Sequence, residues 1–272
     1  MIELPYRGKK GIVIMGQVSA AAILFMAVSI VLSILLPVGA VIWLAVKKKL
    51  SLKAVLWGAL LFPVFALGLE GQGLHRLVFG AFPGLPTHPY LFGLYGGLAA
   101  GVFEETARLI GFRWLIRVKP DESPYTGISY GLGHGGIEAI LLGGTASISN
   151  LVFSLMINSG SVPAGLESSV QQLLGLQPYI FLFTGVERVF AVVLQISLSM
   201  IVLKAVTERK YWYYALAILI HAAIDFPAVL FQTGTIQDPL LLEGIVALYA
   251  AAVALLAWKL YTGKRTESVE LT

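Results

Sequence analysis

The 272-residue chain contains no cysteine. This absence excludes a disulfide framework, a thiolate metal site and a cysteine nucleophile. Charge is also scarce, because 12% of the residues are Asp, Glu, Lys or Arg, whereas a soluble domain carries about 25%. Apolar residues are abundant: 57% of the chain is hydrophobic, and the mean hydropathy is +0.83. The composition therefore excludes a soluble globular protein and indicates a membrane protein.

The apolar residues form runs long enough to cross a bilayer, which takes about 20 residues per helix. Seven such runs are bounded by charge, proline or polar clusters. They predict an all-α polytopic membrane protein with seven spans, at residues 14–46, 52–69, 90–116, 126–157, 178–204, 212–231 and 240–261. The first run contains Pro37 and is too short for two crossings, so it predicts one tilted or kinked helix. Segments 71–88 and 158–177 are predicted to be loops.

The basic residues predict how the spans are oriented. Thirteen of the nineteen Lys and Arg residues lie in the connections on one side and four on the other. Positive charge marks the cytoplasmic side, so we expect the N-terminus outside and the C-terminus inside. The same distribution assigns the net charge of +4 to topology rather than to nucleic-acid binding. We expect one integral domain over 1–272, with a core over 90–231, in a prokaryotic cytoplasmic membrane.

Ionisable residues interrupt several of the predicted spans. A charge at the bilayer centre costs about 2.5–3.5 kcal/mol on insertion scales, so such residues usually face a partner or a functional cavity. The nine residues of this kind are Glu104, Glu105, Arg108, His134, Glu138, Glu187, Arg188, His221 and Asp225.

Six of these residues form pairs four positions apart, on one face of their helix. The pairs are Glu104–Arg108, His134–Glu138 and His221–Asp225. With a rise of about 1.5 Å per residue, all three lie about 14–20 Å from the predicted cytoplasmic helix ends. Three helices therefore place polar groups in one slab of the cytoplasmic half of the membrane, and glycines flank them. We expect a common site there, with Glu187 deeper and nearer the outer face.

Two kinds of hydrolysis suit this set of residues. A desolvated glutamate can act as a general base on water, and a histidine on another helix can donate to the developing oxyanion. The same side chains could instead hold zinc through His134, His221 and a carboxylate such as Glu104. No HExxH, phosphate-binding or dinucleotide motif accompanies them. The residues alone leave both versions open.

Three segments carry a resemblance to a known family: GVFEETARLIGFR, YGLGHGGIEAI and HAAID. They resemble the motifs of the YhfC-type branch of the CAAX-protease and bacteriocin-processing (CPBP) intramembrane protease superfamily. Glu104, Glu105 and Arg108 match its paired-glutamate motif. The second motif, an aromatic residue four positions before a histidine, is matched by Tyr130 and His134, and the third by His221 and Asp225.

Two positions depart from the broad pattern. The first motif reads EExxR rather than EExxxR, so we expect Arg108 to pair with Glu104 rather than with Glu105. Gln195 stands where the branch is expected to carry a histidine, so a role for the fifth span as a further histidine donor is not predicted.

The resemblance implies a glutamic-type intramembrane endopeptidase without a cofactor, acting on a peptide or membrane-protein substrate among membrane lipids. Glu104 would activate water with His134, Glu105 and Arg108 would orient it, and His221 with Asp225 would line the oxyanion side. Supporting roles are expected for Tyr130, Glu138, Glu187, Arg188 and Gln195. The alternatives are a zinc-dependent protease using the same residues, a proton-coupled transporter, and a non-catalytic scaffold or immunity factor.

Overall fold

The protein is a bundle of long helices, seen in a computed structural model that describes residues 6–7, 13–14, 16–118 and 123–267. A two-residue antiparallel ladder, β1 (Tyr6–Arg7) with β2 (Val13–Ile14), precedes the bundle. The helices in the described residues are α1 (Ala20–Val46), α2 (Leu52–Ala81), α3 (Pro89–Val118), α4 (Pro124–Asn158), α5 (Glu167–Gly175), α6 (Pro178–Thr207), α7 (Trp212–Gln232) and α8 (Pro239–Glu267). The prediction of an all-α polytopic membrane protein is confirmed.

The first helix begins later than the sequence predicts, at Ala20, where the Ser19 hydroxyl accepts a bond from the Ala22 N–H. Pro37 does not end it. A π-helical turn, Val31–Leu35, comes just before the proline, and the α-helix resumes at Leu36. Such wider turns accommodate breaks in the regular bonding ladder. The prediction of a single helix through Pro37 is confirmed, whereas its tilt or kink stays a prediction.

The predicted loop at 71–88 is wrong over most of its length. Helix α2 continues to Ala81, and its segment Pro63–His75 is π-helical. The glycines at 71 and 73 and the polar Gln72 led to the loop assignment, but glycine is tolerated within helices at a modest cost. The second predicted loop, 158–177, contains the short helix α5.

Six of the helices are long and apolar enough to cross a membrane, namely α1, α2, α4, α6, α7 and α8. Helix α3 has 30 residues, about 45 Å of helix, but it carries Glu104, Glu105, Arg108, Arg113 and Arg117. The length of α3 is sufficient to cross the membrane, but its five charged residues oppose insertion of this helix on its own. Seven spans and the orientation therefore stay predictions.

Helix α6 is the centre of the bundle. Of its most apolar stretch, 67% is buried, against 22–28% in the other candidate spans. Residues of α2, α3, α4, α7 and α8 join it in the main hydrophobic core. The other helices of this core are therefore packed around α6, so that side chains on their inner faces lie close to it.

Glycines on α4 permit the closest helix contacts around this axis. A Cβ atom added at Gly133 would lie 2.1 Å from the Val55 carbonyl oxygen of α2, and one at Gly131 would lie 2.4 Å from Ile196 Cα of α6. Both neighbours are backbone atoms, which cannot move aside as a side chain can. Small residues at such points let membrane helices approach closely, and here they bring α4 against α2 and α6.

The Gly133 contact generates a stability prediction. Gly133→Ala should destabilise the protein by about 1–3 kcal/mol, the usual cost of overpacking, because the new methyl group meets backbone. The matched control is Gly39→Ala in α1, where nothing lies within 4 Å of the added Cβ; alanine should be neutral or slightly stabilising there. Denaturant titration of the purified protein in detergent checks both. Equal stability of the two variants would contradict the close contact.

The absence of cysteine allows a clean test of topology. Lys47→Cys and Lys210→Cys place single thiols at exposed positions after α1 and α6. Seven spans put both on the cytoplasmic side, so an impermeant maleimide should label neither in intact spheroplasts and both after permeabilisation. If α3 does not cross, the two positions lie on opposite sides and exactly one is labelled. The wild-type protein has no cysteine and serves as the control for labelling that does not depend on a thiol.

Candidate active site

Four helices bring their ionisable residues together on the bundle axis. Helix α3 contributes Glu104, Glu105 and Arg108, α4 contributes His134 and Glu138, and α7 contributes His221, all buried. Helix α6 contributes Gln195, also buried, with Arg188 and Glu187 at one edge, and Asp225 of α7 is partly exposed. The residues that the sequence places in one slab are thus in mutual contact.

The central contact joins α3 to α4. His134 Nε2 lies 2.8 Å from Glu104 Oε2, and the imidazole packs edge-on against Phe62 and parallel to Tyr130. The Tyr130 hydroxyl donates to the Ala107 carbonyl oxygen at 3.2 Å, so the aromatic ring is itself anchored on α3. His134 Nδ1 is buried and has no hydrogen-bond partner among the described residues. The ring is held firmly while one nitrogen is left for another ligand.

Arg108 pairs with Glu105, and the expectation that it pairs with Glu104 is wrong. Its Nη1 lies 2.6 Å from Glu105 Oε1, whereas Nη2 is 3.9 Å from Glu104 Oε2. Arg108 also donates to Ser199 at 3.2 Å and to Gln195. Glu105 lies between Arg108 and His221 of α7. Glu104 turns instead toward His134 of α4. An i,i+4 spacing predicts neither the i,i+3 pair nor the partners on other helices.

His221 is bound by the same Glu105 carboxylate. Its Nδ1 lies 2.7 Å from Glu105 Oε1 and therefore donates to it. The other nitrogen, Nε2, faces Asp225 Oδ2 at 3.5 Å and Glu104 Oε2 at 3.8 Å. The pairing of His221 with Asp225, expected from their spacing, is present in the structure. Glu105 thus connects α3 to α7 and orients the His221 ring so that its Nε2 faces Glu104.

Glu138 does not pair with His134 as their spacing suggests. It accepts from Arg188 Nη1 at 3.1 Å and from Gln195 Nε2 at 2.6 Å. Arg188 also contacts Glu187. His134 is directed away from this group and toward Glu104. Two arginines, Arg108 and Arg188, therefore each compensate a different part of the acidic site.

Gln195 connects these parts. Its amide nitrogen donates to Glu138 at 2.6 Å and to Glu104 Oε2 at 3.3 Å, and its oxygen accepts from Arg108. A glutamine offers a donor and an acceptor together, which this position between carboxylates and a guanidinium requires. The sequence predicts a supporting role for Gln195 but does not predict which groups it connects.

The sequence reasoning missed two ionisable residues of α2, because it placed them at or beyond the end of the span. Glu70 is buried, and its Oε1 lies 3.3 Å from His75 Nε2. His75 Nδ1 lies 2.7 Å from the Tyr95 hydroxyl of α3. Glu243 of α8 was missed as well, inside a span that had been read as apolar. A single carboxylate lowers the mean hydropathy of a long apolar segment only slightly, so the segment still predicts a span.

A metal ion would find suitable ligands in part of this site. Among the described residues, one group brings three ligand atoms within 4.8 Å of one another: Glu104, His134 and Glu138, all buried. One imidazole and two carboxylates are ligands that zinc accepts. His221, expected from the sequence as a possible ligand, is not in this group, and its Nε2 lies 3.8 Å from Glu104 Oε2. The residues present therefore fit a zinc-type ion.

Comparison with known proteins identifies a family of membrane proteins. Residues 32–246 match the family model described as YhfC intramembrane metalloprotease. The chain is also 40% identical over 247 residues to a Bacillus subtilis (strain 168) protein named "Uncharacterized membrane protein YhfC", covering 86% of this chain and 95% of that protein. No solved structure matches.

The family match covers α2 to α7 in full and includes every residue of the three motifs. It confirms the predicted YhfC-type branch, whereas the link to the wider CPBP superfamily stays a prediction from the motifs. The chain is an integral membrane protein, and it belongs to the YhfC intramembrane metalloprotease family.

Proposed function

We propose that this protein is an intramembrane endopeptidase that hydrolyses a peptide bond with water activated at Glu104. The observation that carries the proposal is the buried contact of 2.8 Å between Glu104 Oε2 and His134 Nε2. Around this contact lie side chains able to orient the Glu104 carboxylate as a base and to stabilise a developing negative charge. The description of the family as an intramembrane metalloprotease supports the same reaction class.

The two oxygens of Glu104 have different surroundings. Oε2 faces His134 and the Gln195 amide nitrogen, whereas no described residue hydrogen-bonds to Oε1. These contacts orient the carboxylate and leave Oε1 as the oxygen for a water molecule. An oriented carboxylate in a dry site is a competent general base, and such catalysis contributes about 10²–10⁴-fold.

The reaction then follows from the positions of the side chains. Glu104 takes a proton from water as the water oxygen bonds to the carbonyl carbon, and the same proton passes to the amide nitrogen as the C–N bond breaks. His221 is anchored through Nδ1 on Glu105. With hydrogens on both ring nitrogens, it can donate through Nε2 to the developing oxyanion. Arg108 holds Glu105 in place for this role.

The substrate would approach from the side of Asp225 and Glu187. These side chains are 34% and 36% exposed, more than the other ionisable side chains of the site. A carboxylate is costly against lipid tails, so we infer that this side opens to water or to the polar backbone of a substrate. With the predicted orientation, cleavage would occur in the cytoplasmic half of the bilayer, on a membrane peptide or membrane protein.

A zinc-dependent version of the same function is the second candidate. Glu104, His134 and Glu138 would hold the ion, each through one ligand atom. When bound, zinc would lower the pKa of a water molecule and polarise the carbonyl group. Glu105, Arg108, Gln195 and His221 would keep the orienting roles given above.

Loss of the base tests the proposal. Glu104→Gln keeps the shape of the side chain and removes its ability to take a proton, so cleavage should fall at least about 100-fold. The measurement uses purified protein in liposomes with transmembrane peptides, and new termini are read by mass spectrometry. Glu243→Gln, a carboxylate of α8 outside the site, should keep its activity. Full activity in a folded Glu104→Gln protein would contradict the proposal.

Glu138→Gln separates the two versions. If zinc is required, this variant should lose most of a single bound equivalent measured by mass spectrometry of the metal, and a chelator should abolish wild-type cleavage until zinc is restored. If Glu104 acts alone, chelation should leave the wild-type rate unchanged. Glu138→Gln would then lower the rate only through its bonds to Gln195 and Arg188. Glu243→Gln again serves as the matched control for metal content.

A further inference from the structure

The contact between α3 and α7 follows both helices to one end of the bundle. A Cβ atom added at Gly101 of α3 would lie 2.7 Å from the Ile218 carbonyl oxygen of α7. Further along α3, the hydroxyl oxygens of Thr106 and Tyr214 lie 2.7 Å apart. Residue numbers rise along α3 while they fall along α7, so the two helices are antiparallel. The end of α3 therefore meets the start of α7.

A guanidinium group and an aromatic ring meet at this end. Arg113 Cζ lies 4.9 Å from the centre of the Tyr211 ring, and both residues are exposed. A ring beneath a guanidinium group contacts its face, so the N–H donors around its edge stay available to another group. Arg113 lies five residues before α3 ends at Val118, which is about 7.5 Å of helix. Its donors are therefore close to the end of the helix.

Two further exposed arginines lie beside this contact. Arg117 follows Arg113 by four positions, so both residues lie on one face of α3. Arg209 stands two residues before Tyr211, in the turn between α6 and α7. These three arginines and Tyr211 are called the arginine surface below. The end of the α3–α7 contact is thus rich in guanidinium groups.

The positive charge of the arginine surface is not compensated within the described part of the chain, where none of its arginines forms an ion pair. Glu208, the carboxylate in the same turn, lies 2.8 Å from Lys204 Nζ and 3.3 Å from Lys210 Nζ. The neighbouring Trp114 and Trp212 are 44% and 55% exposed. Exposed tryptophans are typical of the headgroup level of a membrane. The arginine surface therefore offers unpaired positive charge at that level.

We propose that the arginine surface binds the headgroup of an acidic phospholipid, independently of the proposed peptidase function. A guanidinium group can donate two parallel N–H bonds to a phosphate, and the ring of Tyr211 holds that of Arg113 in place for this. Membrane topology requires only positive charge and does not account for a guanidinium group set over a ring. Three uncompensated positive charges favour a lipid of net negative charge over a zwitterionic one. With the predicted orientation, this lipid belongs to the cytoplasmic leaflet.

Native mass spectrometry of the purified protein in detergent tests the site. The probes are phosphatidylglycerol and phosphatidylcholine with the same acyl chains, and we expect the acidic lipid to bind about tenfold more tightly. Arg113→Gln removes both the charge and the guanidinium donors, so it should weaken phosphatidylglycerol binding about fivefold. Tyr211→Leu keeps an apolar side chain and removes the ring that holds Arg113, so it should also weaken this binding. Equal affinities of the wild-type protein for the two lipids would overturn the proposal.

A matched control separates a defined site from attraction by overall charge. Lys259→Gln removes an exposed positive charge from α8, outside the arginine surface, and should leave phosphatidylglycerol binding unchanged. The proposal is overturned if Lys259→Gln weakens binding as much as Arg113→Gln does, or if Arg113→Gln binds like the wild-type protein. If Arg113→Gln does not fold, Arg209→Gln in the exposed turn decides. We expect a loss of affinity in that variant as well, and unchanged binding there overturns the site.

Discussion

The structure depends on keeping a guanidinium group in the membrane interior. Arg108 is completely buried, and moving an ion of this size out of water costs several kcal/mol even after the protein relaxes. Its donors are satisfied by Glu105, Gln195 and Ser199. Two of these partners lie on α6, so this residue holds together α3, which carries five charged residues, and the candidate span with the largest buried share.

The hydrogen bonds of Arg108 determine how the neighbouring glutamates and Gln195 are arranged. Because Glu105 is held by Arg108 and His221, Glu104 is left to turn toward α4. Gln195, held by the same arginine, directs its amide nitrogen to Glu104 and Glu138. The two adjacent glutamates thus differ in environment, as two carboxylates of one site must if one is to act as a base and the other as a support.

The membrane class and the single first helix could be predicted from the sequence, as could most of the ionisable residues that meet on the bundle axis. Hydropathy identified six helices able to cross a membrane, and the cost of charge in lipid drew attention to nine ionisable residues. The pairings could not be predicted in the same way. The i,i+4 rule describes one helix in isolation, whereas Glu104 and Glu138 find better partners on a neighbouring helix. Arg108 pairs instead with Glu105, three positions before it on the same helix.

The loop predicted within α2 was wrong because sequence composition did not reveal the local helix geometry. Gly71, Gly73 and Gln72 resemble loop residues in composition, and the widened helical turns that accommodate them have no sequence signature as clear as a capping residue. Glu70 and His75 were therefore assigned to a span end and a loop. For Gln195 the sequence predicts a supporting role, but not that it links Arg108 to two acids, because those partners lie on other helices.

The distances along the chain between bonded partners bear on how the protein is made. Glu105 lies 116 residues before His221, and Glu104 lies 91 residues before Gln195. Helix α3 is therefore synthesised well before the helices that compensate its charges. A partly synthesised chain holds Glu104 without Gln195 and Glu105 without His221. The site is thus complete only once α7 has joined the bundle, and until then the charges of α3 lack the partners that they have in the finished protein.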